Sequence, residues 1–97
     1  MMIYCAHKYG GKEENKKKCE KIIKKLQAND LDNTYISPIH ALGFMYDSIN
    51  YDDGMELCFD LLSVCDELFV LSELNDGVKK EIEMAERMEI PVRYLTD

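Results

Sequence analysis

The chain has 97 residues, of which 46% are apolar and 32% charged, and it carries a formal charge of −7. That length and apolar share suit one domain with its own core, residues 1–97, and the acid excess argues against generic nucleic-acid binding, which needs a basic footprint. No apolar run approaches the ~18–20 residues that span a bilayer, and no charged segment followed by an apolar one opens the sequence, so a cytoplasmic protein with no signal peptide and no membrane contact is expected.

The predicted elements alternate between strand and helix. "MMIYCAH" is a short apolar run suited to a buried strand. From Glu13 to about Ala28, Cys19, Ile22, Ile23 and Leu26 recur at helical spacing, with lysines on the other face. "TYISPI" reads as a second strand ended by Pro38, and residues 39–50 as an irregular segment. A helix follows from about Asp52 to Val64, turning Met55, Cys58, Phe59, Leu62 and Cys65 to the core. "ELFVLS" is the clearest strand, and "NDG" marks a turn and N-cap before a helix from about Gly77 to Met88 that buries Val78, Ile82 and Ala85. "IPVRYL" closes the pattern as a strand with Pro91 first. The order β-α-β-α-β-α-β implies an α/β fold in three layers, a four-stranded parallel sheet with crossover helices, because tight hairpins cannot join parallel neighbours.

Charge is uneven along this pattern. Residues 1–25 hold eight of the twelve basic side chains against three acids, and the remainder holds four against sixteen. The lysine-rich part is either the solvated face of a helix or a surface that attracts phosphate. The cysteines, Cys5, Cys19, Cys58 and Cys65, form no C-x-x-C pair and have only His7 and His40 for company, a spacing that matches no zinc pattern. Free thiols, no metal and no cofactor are therefore expected.

Ligands of open α/β sheets collect at the carboxyl ends of strands, where helix N-termini point. Two loops fit that place. In "AHKYGGKEEN", Gly10 and Gly11 either make a tight turn or let the backbone approach a ligand, with Lys8 or Lys12 adding charge. In "SELNDGVKKE", Asn75, Asp76 and Gly77 would cap a helix whose early Glu81 is either a site carboxylate or dipole compensation. Asp60, between Phe59 and Leu61, lies either on an exposed face or in a cleft, and His40 follows a strand end.

Three segments in this order resemble the nucleoside 2-deoxyribosyltransferase-like superfamily. The first is "IYCAHKYGGKEEN", like the family's opening strand and glycine-containing loop, with Ala6 and His7 where glycine and then proline or serine are common. The second is "DLLSVCDELFV", with Asp60, Cys65 and Asp66. The third is "GVKKEIEMAERMEIPV", with Gly77, Glu81, Ile82, Ala85 and Pro91. The resemblance implies a flavodoxin-like sheet, a homodimer, and cleavage of an N-glycosidic bond or transfer of a deoxyribosyl group. It implies Glu81 as nucleophile and Asp60 as its acidic partner. Tyr4, Ala6, His7, Lys8, Gly10, Gly11, His40, Asn75 and Gly77 would hold a nucleoside or nucleotide. The alternative is a module that binds such a ligand without cleaving it. Phe44, Met45 and Tyr46 are expected at a dimer contact.

Overall fold

A computed structural model describes residues 1–95. Four strands form one parallel sheet in the order β2-β1-β3-β4, a flavodoxin-like arrangement. Strand β1 (Met2–Ala6) and strand β3 (Glu67–Val70) lie at its centre, covered on both faces, which is why both read as continuous apolar runs. Along β1 the side chains alternate. Ile3 and Cys5 enter one core cluster, while Tyr4 and Ala6 enter the other.

Helix α1 (Glu13–Asn29) covers the first cluster with Cys19, backed by Ile22, Ile23 and Leu26, and leaves most of its lysines in solvent. Strand β2 (Thr34–Ile36) pairs with β1. The next segment corrects the expectation of an irregular stretch. Pro38 begins a short helix, α2 (Pro38–Leu42), and a 3-10 turn, Gly43–Met45, continues it. Ser37 Oγ accepts from the backbone N–H of His40 at 3.4 Å, and Pro38 stands where a missing N–H leaves no bond unmade. Ile39 of this helix reaches the first cluster.

The second cluster lies under α3 (Tyr51–Ser63) and α4 (Asp76–Arg87), which contribute Leu62, Val78, Ile82 and Ala85. Both begin one residue before their expected starts. Asn50 Oδ1 caps α3 by accepting from Asp53 N–H at 2.8 Å, and Asn75 Oδ1 caps α4 by accepting from Val78 N–H at 2.9 Å. Strand β4 (Val92–Tyr94) pairs with β3, and the Pro91 carbonyl just before it accepts from Leu68 N–H at 2.9 Å. No helix among the described residues is long and apolar enough to cross a membrane.

The chain leaves β1 towards β2 on one side and leaves β3 towards β4 on the other. The carboxyl ends of β1 and β3, paired through Ala6 and Val70, therefore flank the point where strand order reverses.

Candidate active-site cleft

At that switch point a cleft of about 480 Å³ opens between the loop after β1, helix α2, and the first turns of α3 and α4. Its walls are largely apolar and aromatic, with Tyr9, Ile39, Leu42, Tyr46, Tyr51 and Met55 among them. Among its lining residues the carboxylates are Asp76, exposed at the start of α4, and Glu81, one turn further in.

Glu81 is only 6% exposed, and its Oε2 accepts a hydrogen bond from the Tyr4 hydroxyl. Among the described residues no lysine, arginine or histidine forms an ion pair with it. Burial pushes its carboxyl up to about 7, against the downward pull of the Tyr4 hydrogen bond. Tyr4 is itself fully buried, and burial followed by the Glu81 charge drives its hydroxyl well above the ordinary tyrosine range. Cys58 of α3 completes the cluster, facing Tyr4 and Glu81, with its thiol pushed by burial to about 11. At neutral pH the trio is a neutral phenol, a neutral thiol and a carboxyl near its midpoint.

The loop after β1 is fixed before any ligand arrives. Lys8 N–H donates to Ser72 Oγ at 2.8 Å, and that hydroxyl donates to the Glu73 carbonyl at 2.9 Å, fastening the exit of β1 to the exit of β3. Asn15, buried in the first turn of α1, donates through Nδ2 to the Tyr9 carbonyl at 2.9 Å. Gly10 and Gly11 have φ of 62° and 74°, a region other residues enter at a cost. A Cβ on Gly11 would stand 2.8 Å from Tyr46 Cε1, so glycine there also lets the Tyr46 ring close over the loop. Tyr46 meets Tyr9 edge-on at 5.2 Å between centroids, and Tyr9 lies against Gly43.

His7 is buried at the cleft wall. A carbonyl only accepts, so its 2.7 Å contact with Lys8 O makes Nδ1 the donor and leaves Nε2 as an acceptor in the neutral ring. Burial holds His7 below the usual histidine range and so favours that neutral ring.

The structure brings His7, Gly10, Asn75, Gly77 and Glu81 to the cleft, with Tyr4 behind Glu81. Ala6 is buried in the second cluster, and Gly11 packs on Tyr46. Three expected residues lie elsewhere: Lys8, which is not among the residues lining this cleft and whose Nζ stands 2.9 Å from Glu73 Oε2, together with Asp60 and His40. Asp60 is exposed on α3 and does not line the cleft, which that helix reaches with Tyr51, Gly54, Met55, Leu57 and Cys58. His40 is exposed and tied to α1, its Nε2 2.9 Å from Glu20 Oε2 and its Nδ1 2.6 Å from Ser37 Oγ. Of the expected dimer residues, Phe44 is 81% exposed whereas Tyr46 is engaged within the chain. Sequence reasoning passed over Cys58, Asn50 and Tyr51. The sequence pattern places Cys58 in the core, and the helical stripe it shares with Gly54 and Met55 is the signal that could have found it. Among the described residues no group of three or more His, Cys, Asp or Glu side chains is placed to hold a metal ion.

One family model, described as a domain of unknown function (DUF7768), matches residues 1–95, and the chain belongs to that family. No curated protein and no solved structure matches it.

Proposed function

We propose that the chain cleaves the N-glycosidic bond of a nucleoside or nucleotide, with Glu81 as nucleophile. The observation that carries this reading is a buried carboxylate, paired with no cation among the described residues, that lines an aromatic cleft at the switch point and accepts a bond from one hydroxyl. The resemblance of the sequence to the nucleoside 2-deoxyribosyltransferase-like superfamily supports it. Ionised Glu81 attacks C1′ as the C1′–N bond breaks, and the bond's electron pair leaves on the base, which takes up a proton. Water then attacks C1′ and releases the sugar, or a second base attacks and transfer results. Asp60 does not line the cleft, so protonation of the base falls to its solvent-facing side, where Asp76 stands.

Tyr4 holds Glu81 in place and favours its ionised form, and a cationic sugar transition state would favour ionisation further. Incubation of the protein with nucleosides and 5′-nucleotides, deoxy and ribo, tests the reading by chromatography for free base. Base release is expected from the wild type and a loss of at least about a thousandfold in Glu81→Ala. Release that survives in Glu81→Ala, or none across the panel, would overturn it.

A binding module remains the second reading, favoured by the absence of Asp60 from the cleft and by a Glu81 that is partly protonated at neutral pH and able to donate to a ligand. It predicts saturable binding with the ligand recovered intact.

A further inference from the structure

The lysine-rich first quarter of the chain has no part in the chemistry above, yet it borders the cleft. A second cleft, about 260 Å³, is lined by Lys8, Lys12, Lys18, Glu14 and Asn15. Tyr9, Gly10 and Asn75 line both clefts and form the sill between them. The sill is low at Gly10, where nothing lies within 4 Å of the place a Cβ would occupy.

The two clefts differ in chemistry. The first offers aromatic walls and a nearly neutral floor, and the second sets three ammonium groups against one carboxylate. Lys8 is already engaged, with Nζ 2.9 Å from Glu73 Oε2. Among the described residues no carboxylate pairs with Lys12 or Lys18, so their charge is free for a ligand. This basic cleft lies on a chain with a net charge of −7.

We propose that the lysine cleft takes the anionic tail of a ligand whose base and sugar sit in the first cleft, so that the substrate class is a nucleoside 5′-polyphosphate rather than a free nucleoside. The inference takes the seat of base and sugar from the glycosidase reading, but it does not depend on cleavage. One phosphoryl group lies at the sill, beside Gly10 and Asn75, and further groups reach Lys12 and Lys18. Each further group adds negative charge where the lysines stand.

Calorimetric titration tests this on wild type and on the Lys12→Gln/Lys18→Gln variant, whose altered side chains are both exposed and carry no core packing. The probes are deoxynucleosides, their 5′-monophosphates and 5′-triphosphates, and inorganic tripolyphosphate, at low and at physiological salt. The wild type is expected to bind a triphosphate at least about tenfold more tightly than the nucleoside of the same base, and more tightly than the monophosphate. That advantage should shrink with salt and disappear in the variant, and tripolyphosphate alone should bind the wild type only. Equal binding of nucleoside, monophosphate and triphosphate, an advantage that survives in the variant, or no binding of any nucleotide would overturn the proposal. Base release, scored in the same samples, judges the glycosidase reading separately. Lysine-dependent binding without release leaves this inference standing and removes cleavage, and release without a polyphosphate preference does the reverse.

Discussion

The two faces of the sheet bury different things. On the α1 face, Ile3, Cys5, Cys19, Ile39 and Phe69 pack together, and the charged groups of α1 stay outside. On the face beneath α3 and α4, Leu62, Leu68, Val78 and Ile82 make an equally apolar cluster, but Tyr4 and Glu81 are set into it. Apolar burial stabilises a fold, whereas a buried carboxylate without a cation costs free energy. The core beneath α1 is apolar throughout, and the core beneath α3 and α4 accepts a penalty where the first cleft opens.

The largest expected effect comes from the apolar part of the second face. Leu62 is fully buried, so Leu62→Ala should cost about 2–5 kcal/mol in urea unfolding. A cost below about 1 kcal/mol would mean that α3 is not packed as described.

Glu81 should act in the opposite sense. Its folded pKa of about 7 lies above the ordinary 4.5, so between those values the folded chain keeps a proton that the unfolded chain has lost. Its contribution is therefore present below about pH 4.5 and lost as pH rises to about 7, on the order of 3 kcal/mol in all. Glu81→Gln should remove that loss and leave the variant more stable than wild type at pH 8, by urea unfolding. A wild-type profile across this window that Glu81→Gln leaves unaltered would show that Glu81 carries no such penalty.

Smaller effects are expected in the loop after β1. Gly10→Ala and Gly11→Ala both place a side chain at positive φ, each at about 1–2 kcal/mol. Gly11→Ala also meets the Tyr46 ring, and Gly10→Ala meets nothing. Gly11→Ala should therefore be the worse of the two in thermal unfolding, and Tyr46→Ala should erase the difference. A difference between the two that is the same in the Tyr46→Ala background as in the wild type would show that the ring does not close over Gly11.

The alternating elements were legible because periodicity and caps agree. Cys19, Ile22, Ile23 and Leu26 mark a helix face, and Asn75 announces α4 three residues before the N–H it caps. Helix α2 was not legible, since a proline after a strand reads as a terminator while Pro38 here opens a helix capped by Ser37. Position 60 in a helix could not be assigned a face until α3 had a neighbour, and α3 turns Cys58 rather than Asp60 to the cleft. The bond between Tyr4 and Glu81 spans 77 positions. No local pattern announces such a contact, which exists only because β1 and α4 share one face of the sheet. The shared sill of the two clefts is of the same kind, with Gly10 and Asn75 meeting through the pairing of β1 with β3.

The chemistry of the cleft depends on Glu81, and its protonation can be followed directly. A carbon-13 NMR titration of the Glu81 side-chain carboxyl, assigned by its loss in Glu81→Gln, needs no knowledge of the substrate. A midpoint near 7 that moves upward in Tyr4→Phe is the predicted result. A midpoint in the ordinary carboxyl range, unchanged by Tyr4→Phe, would show that Glu81 is neither buried nor held by Tyr4, and the cleft would lose its reactive group.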